Sequence, residues 1–426
     1  MKTRMFFYLL SIFIFVNCGD SEPKIPVDLN KVTLVSPAYI RSQLGEAVQF
    51  QLEVPNDLKL TYIWSCDNQV FSTEKNPSFK IEKPGLLNVT VQVKGGDSTK
   101  ELRSMIFVPK KTTYKSIAYV PSWKNNLGNM NNNWDKLTHI CLCFGLVASD
   151  GTIDISEVKS KLSTSIEQAH KNGVYVLLSI GGGGGDGENF SNAILNETYR
   201  KAIASNVITI VESLKLDGVD VDYEQWDYTP SQQNIARSNA LEELYKDLKA
   251  GMPEKTLLSI ATSWSYMRNN GYKESMNQYL DLVNLMIYDY TGAWAGSEVG
   301  PHSGWDYYLN SINAAKNFNI PASKIIPGIP FYGVKFKSAS SSTGATTIAY
   351  ADIVKQYPGA ENKNNVSEAF LYYDGKPIVK QKCEYVMEQK LGGVMFWEIT
   401  QDATEPSKSL LVVINETLGI SAGRGE

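Results

Sequence analysis

Between residues 116 and 421, this 426-residue chain repeats one pattern eight times: a short apolar run, then an amphipathic or loop stretch. The apolar runs fall at 116–121, 138–145, 174–180, 218–224, 257–262, 283–288, 324–330 and 393–398. Helical periodicity occupies intervals at 157–171, 197–215, 232–250, 307–317 and 378–390. Strands that alternate with helices pair in parallel, because a crossover must return the chain to the same end of the sheet. Eight such units predict an α/β fold, a (β/α)8 TIM barrel, with an open doubly wound sheet as the alternative. In a barrel the chemistry sits at the C-terminal ends of the strands.

Ahead of the barrel, residues 28–110 read as short alternating runs at 32–35, 48–54, 60–64, 79–81, 87–93 and 105–108. Turn signals such as Pro55-Asn56-Asp57, Lys83-Pro84-Gly85 and Gly95-Gly96-Asp97 separate them. That spacing predicts a small all-β sandwich, joined to the barrel by a linker at 111–115. Tyr62-x-Trp64, Pro77-x-Phe79, Pro84-Gly85 and Asn88-Val89-Thr90-Val91 resemble immunoglobulin-like modules of the polycystic-kidney-disease type. A spacer is the expected role, with a carbohydrate-binding surface as the bolder one.

Lys2 and Arg4 precede an apolar run, 5–16, that is too short for a membrane span and has the basic start of a secretory signal. Cys18 closes it in a way that resembles a bacterial lipobox. That resemblance implies a signal peptide at 1–17, acylation of Cys18 and a tether at 18–27. The chain is then an exported lipoprotein anchored to the outer membrane, at the cell surface or in the periplasm, touching the membrane only through its lipid. A plain signal peptide with an incidental cysteine is the alternative. Cys66, Cys141, Cys143 and Cys383 are too sparse for a disulfide framework and read as buried thiols.

Composition narrows the function. Lys+Arg 41 against Asp+Glu 45 leaves a net charge of −4, with no basic excess for a nucleic-acid backbone. Three histidines without an HExxH pair give little support to a zinc site or a histidine-based triad. Gly182-x-Gly184-x-x-Gly187 follows a strand and formally fits a dinucleotide fingerprint. It lacks the acidic residue expected about 20 positions on, so we do not read a nucleotide site there.

The segment Asp217-Gly218-Val219-Asp220-Val221-Asp222-Tyr223-Glu224 carries the chemistry. In a strand, Asp220, Asp222 and Glu224 project to one side, successive residues ~6.6 Å apart. Asp217 shares the parity of the apolar residues and reads as structural. On an antiparallel sheet the acids would face water. Inside a parallel barrel the apolar face packs on the helices, so the acids turn inward. Three crowded carboxyls cannot all ionise cheaply, and at least one should keep its proton above the usual range. Such a group suits general-acid attack on a glycosidic oxygen, while a Mg²⁺ site is the chemical rival.

DGVDVDYE resembles the DxxDxDxE signature of family 18 glycoside hydrolases, the chitinases and related endo-β-N-acetylglucosaminidases. Ser179-Ile180-Gly181-Gly182 resembles the family's SxGG, and Met286-Ile287-Tyr288-Asp289 with Gly292-Ala293-Trp294 its MxYD…W. Pro330-Phe331-Tyr332-Gly333 and Gly393-Val394-Met395-Phe396-Trp397-Glu398 are similar to its last two strand ends. The resemblance implies an exported hydrolase cleaving β-1,4 linkages after N-acetylglucosamine, in chitin or chitooligosaccharides, by substrate-assisted retaining catalysis. An endo-β-N-acetylglucosaminidase acting on N-glycans is the close alternative, and a chitin-binding lectin a more distant one.

The resemblance also assigns roles. Glu224 is the general acid, Asp222 orients the substrate acetamido group, and Asp220 tunes Asp222 with Ser179 bonded to the pair. Tyr288 and Asp289 hold the acetamido group or the distorted sugar, and Trp397 floors the subsite. Tyr119 and Phe144 line the same pocket, with Met286, Trp294 and Tyr332 as wall residues. It implies a monomer that uses no cofactor or metal and takes an N-acetylglucosamine-containing glycan. Gln225-Trp226 departs from the aromatic-proline pair many chitinases carry after the acid, and Val334 stands where a basic residue is common. The stretch 335–377 is too short for the full α+β subdomain of some chitinases, which predicts a shallower cleft.

Overall fold

The structure, a computed structural model, describes residues 27–56, 58–124, 130, 132–183 and 187–421. The signal segment, Cys18 and Gly184 lie outside the described residues. Strand β1 (Lys115–Pro121) pairs in parallel with β2 (His139–Val147), followed by β3 (Tyr175–Gly181) and β4 (Gly218–Asp222). The order continues through β5 (Leu257–Thr262), β6 (Leu282–Leu285), β7 (Ile325–Pro330) and β8 (Gly393–Trp397), which pairs back with β1. The sheet is therefore a closed parallel barrel, and the open alternative is excluded.

Alternation along the strands sorts side chains between two cores. Ala118, Val120, Ile140, Leu142, Val176, Leu178, Val219 and Val221 join the large core shared with the helices. Their chain neighbours Ile117, Tyr119, Cys141, Cys143 and Leu177 fill the interior with Leu282, Ile326 and Met395. Asp217 takes the helix-facing parity, as expected of a structural acid. Its carboxylate accepts from the Val176 amide at 2.9 Å, pairs with His170 Nε2 at 2.8 Å, and lies 3.5 Å from Arg41 Nε. Helix starts are capped by side chains: Asn196 accepts from the amides of Thr198 and Tyr199, and Ser231 from that of Asn234.

The structure differs from the sequence reading at several ends. β4 stops at Asp222 rather than 224, and β6 at Leu285 rather than 288. Leu285 faces Pro327, which has no N–H to carry the ladder further. The residues beyond both strands leave the sheet and form the rim of the barrel mouth. Helices at Gly187–Leu195 and Leu410–Leu418 escaped the periodicity, the first because it begins inside the glycine run. Between β7 and β8, strands Tyr332–Lys335, Thr346–Ala349, Asn365–Val366 and Leu371–Tyr373 form a small antiparallel sheet, with helix Tyr350–Gln356 beside it. The short stretch thus builds a reduced α+β insertion.

Contacts divide the described chain into two compact units. One contains 27–37, 49–79 and 89–104; the other contains 38–48, 80–88 and the barrel. In the first, Thr61–Cys66 lies antiparallel between Gln69–Ser72 and residues 89–94, and Thr33–Leu34 pairs with Leu52–Glu53. Its core centres on Trp64, packed 5.0 Å from Phe50 and donating from Nε1 to the Glu74 carbonyl. In the second, Tyr39–Arg41 runs parallel to 105–107, a strand the alternation did not reveal. Cys66, Cys141, Cys143 and Cys383 are buried.

Candidate active site

The acids of β4 climb from the barrel interior to its mouth. Asp220, fully buried, accepts hydrogen bonds from Ser259 Oγ at 2.5 Å, Ser179 Oγ at 2.8 Å, Tyr119 OH at 3.0 Å and Asn284 Nδ2 at 3.2 Å. Burial raises its pKa, and the four donors pull it back. Two residues on, Asp222 is buried with Oδ1 lacking any hydrogen-bond partner among the described residues. Burial first, then the charges of Glu224 and Asp220, push its carboxyl well above the usual range. Glu224 is raised too, chiefly by burial, with the Tyr266 hydroxyl acting against the rise and Asp289 adding to it. Asp222 and Glu224 titrate as a pair, so protonation of one favours ionisation of the other.

Above Asp220 opens a cavity of about 570 Å³. Asp222, Glu224 and Asp289 face it, together with Tyr119, Trp123, Phe144, Met286, Tyr288 and Trp397. One wall is aromatic. The Trp397 ring lies nearly parallel to Phe144, with centroids 6.0 Å apart and planes at 17°. Tyr119 and Trp123 approach Trp397 at 5.8 and 6.3 Å, and Trp123 stacks on Phe144 at 5.8 Å. Flat apolar faces beside carboxyls are what a sugar ring needs, since its C–H faces are apolar and its edges are polar.

The glycine run now has a physical explanation. A Cβ on Gly181 would stand 2.2 Å from the Asp222 carbonyl oxygen, and one on Gly182 2.7 Å from the Phe144 ring. Both residues have positive φ, 104° and 97°. A Cβ on Gly183 would reach 2.9 Å from Glu224 Oε1. The loop is glycine because the backbone passes directly against the reactive groups.

Asp289 is held in the left-handed region at φ 56°, an unfavourable setting for a residue with a Cβ. Tyr332 OH donates to its Oδ1 at 2.6 Å. Buried His302 stands behind both: Nδ1 is 3.4 Å from the Asp289 amide and Nε2 3.2 Å from the Tyr332 carbonyl. A carbonyl only accepts and an amide only donates. Nε2–H can donate to that carbonyl and Nδ1 can accept that amide, while Nδ1 also lies 3.5 Å from Asp289 Oδ1.

Of the residues singled out in the sequence, Tyr119, Phe144, Asp222, Glu224, Met286, Tyr288, Asp289 and Trp397 meet at the cavity. Ser179 and Asp220 lie beneath it, and Tyr332 stands behind Asp289. Trp294 is not among the lining residues; it is 47% exposed on the loop after β6. Sequence reasoning missed Trp123, Tyr266, Ser259, Asn284 and His302. Ser259 and Asn284 left a signal, as polar residues inside otherwise apolar strand runs. Trp123, in the turn after β1, and Tyr266, on the short helix after β5, left none. Among the described residues, no group of three or more His, Cys, Asp or Glu side chains is placed to hold a metal ion.

A stability prediction follows from Asp222. Its native pKa lies above its unfolded value, so the native state binds more protons across the window between them. Stability therefore falls as pH rises through that window, starting near the ordinary carboxylate value of about 3.9. Asp222→Asn removes this penalty. Urea midpoints should show a gain on the order of 1 kcal/mol at pH 7 and little gain at pH 4. An equal gain at both pH values would contradict the assignment.

Comparison with known proteins gives a consistent picture. The family model described as glycosyl hydrolases family 18 matches residues 115–402. Endochitinase 1 of Metarhizium robertsii is 28% identical over 298 residues, 60% of this chain and 67% of that protein. Human chitinase-3-like protein 2 is 25% identical over 346 residues, 68% of this chain and 87% of that one. A solved chitinase from Bacteroides thetaiotaomicron superposes with a TM-score of 0.64 at 26% identity, covering 74% of this chain and 98% of that structure.

Proposed function

On the premise that the chain belongs to glycosyl hydrolase family 18, we propose that it hydrolyses β-1,4 bonds after N-acetylglucosamine in chitin and its oligosaccharides. The observation that carries this reading is the placement of Asp222 and Glu224 in one cavity against an aromatic wall, with both carboxyls raised in pKa. The similarity to Endochitinase 1 and to the Bacteroides thetaiotaomicron chitinase supports the substrate class.

In this reading Glu224 gives its proton to the glycosidic oxygen as the bond to the anomeric carbon breaks. The substrate's own acetamido carbonyl oxygen bonds to that carbon, giving a cyclic oxazolinium ion in place of a glycosyl-enzyme ester. Asp222 accepts the acetamido N–H, and its ionised form is favoured as positive charge builds on the ring. Asp220 remains fixed by its four donors and keeps Asp222 aimed. Tyr288 contacts the acetamido oxygen, and Trp397 carries the sugar face. Water then attacks the anomeric carbon, Glu224 takes its proton, and the ring reopens with retained configuration.

Incubation with chitotetraose or chitopentaose should release shorter oligosaccharides whose first-formed reducing ends are the β anomer by NMR. Cello-oligosaccharides, which lack the acetamido group, should stay intact, as should a high-mannose glycoprotein. Release of N-glycans with chito-oligosaccharides untouched would overturn the substrate assignment. Cleavage of cello-oligosaccharides at a similar rate would overturn the substrate-assisted step.

A further inference from the structure

Tyr266 stands on the short helix after β5, and its hydroxyl lies 3.4 Å from Glu224 Oε2. Contacts of this length in an unliganded site tighten when substrate arrives. The ring packs against Trp226, with centroids 6.3 Å apart and planes at 37°. Trp226 is 8% exposed and is tied back twice to the acid's own segment. Its indole Nε1 donates to the Tyr223 carbonyl at 3.0 Å, and its amide to the Glu224 carbonyl at 3.0 Å. This is the Gln225-Trp226 pair that departs from the usual aromatic-proline sequence. A proline there would have no N–H for the second of these bonds.

The two loops are also stapled to each other. Asn234, fully buried, donates from Nδ2 to the carbonyls of Asp227 at 3.0 Å and Asn269 at 2.8 Å, and accepts the Asp227 amide at 2.9 Å. Asn269 Nδ2 in turn donates to the Tyr228 carbonyl at 2.9 Å. The segment after Glu224 and the segment after Tyr266 are therefore hydrogen-bonded to each other.

We propose that Tyr266 is a positioning residue for the general acid, held in place by Trp226. A tyrosine hydroxyl donating to Oε2 makes that atom the acceptor end of the carboxyl group. The transferable proton then resides on Oε1, beside Gly183 on the cavity wall. The other ionisable groups around Glu224 are Asp222 from β4, and Asp289 and Tyr288 from the segment after β6. All three stay in place when Tyr266 changes, and Asp222, which titrates together with Glu224, responds to any change in the acid. This inference rests on the proposed role of Glu224.

The test is Tyr266→Phe, which keeps the ring against Trp226 and removes only the hydroxyl. On chitotetraose, kcat should fall roughly tenfold, as for loss of one hydrogen bond to a charged group, with KM within about twofold. Donation from the hydroxyl favours the ionised carboxylate, so its loss raises the Glu224 pKa. The alkaline limb of the pH profile should then move upward. Trp226→Phe should move both in the same direction, and the double variant should add little to Tyr266→Phe. Carbon-13 NMR titration of the Glu224 carboxyl, assigned against Glu224→Gln, reads the same pKa without substrate. An unchanged titration and unchanged kcat in Tyr266→Phe would overturn the inference while leaving the proposed function standing. Additive effects of the two substitutions would remove Trp226 from it. A wild-type protein that cuts no chito-oligosaccharide would overturn the proposed function instead, and the NMR titration would still decide the contact.

Discussion

Glu224→Gln is expected to lower chito-oligosaccharide hydrolysis by at least about 10²–10⁴-fold, the contribution typical of a positioned general acid. The amide matches the carboxyl in shape and lines the same cavity, but it has no proton to give to a leaving oxygen. Binding should survive, because the aromatic wall of Trp397, Phe144, Tyr119 and Trp123 is unchanged. Calorimetry with chitotetraose should therefore give a Kd within a few-fold of wild type. The urea midpoint should hold or rise slightly, since a carboxyl raised by burial has been replaced by a neutral group. Normal turnover in this variant would sink the catalytic assignment. Loss of both turnover and binding would show that Glu224 shapes the cavity rather than acting as the acid.

Lys382→Met should be strongly destabilising, costing about 3–5 kcal/mol. Lys382 is fully buried and spends its three donors on Asp374 Oδ2 at 2.5 Å, Ser303 O at 2.8 Å and Ser303 Oγ at 2.7 Å. Methionine fills a similar volume and leaves the buried Asp374 carboxylate without its counter-charge. Adding Asp374→Leu should recover part of the loss, because an apolar pair replaces an apolar–charged mismatch. Ser303 adjoins His302, which braces Asp289 and Tyr332, so surviving protein should also show weakened activity. Urea denaturation of the single and double variants checks the prediction. A single variant as stable as wild type would mean that the ion pair adds nothing.

Much of the architecture was written locally. Period-two alternation in 218–224 specifies a strand with Val219 and Val221 on one face and Asp220 and Asp222 on the other, whatever surrounds it. Eight runs alternating with helical stretches specify parallel pairing, and the closed barrel then turns the acids inward. The catalytic row was legible from alternation, and Tyr288, Asp289 and Trp397 from the family motifs they match, while Tyr119 and Phe144 fall within the last four residues of β1 and β2. The ends of β4 and β6 were harder to place. A strand stops when its neighbours stop offering hydrogen bonds, and that depends on residues such as Pro327 in another part of the chain.

What the sequence alone determined was the inventory: which strands exist, which face of each is polar, and that three acids share one face. The tertiary structure decided how those acids are tuned. Ser259, Asn284 and Tyr266 reach the row only because closure brings β5 and β6, with the loop after β5, beside β4. A carboxyl's proton affinity depends on its burial and on donors within hydrogen-bond reach. Local periodicity fixes the direction of a side chain, whereas burial and donors are fixed by contacts between segments distant along the chain.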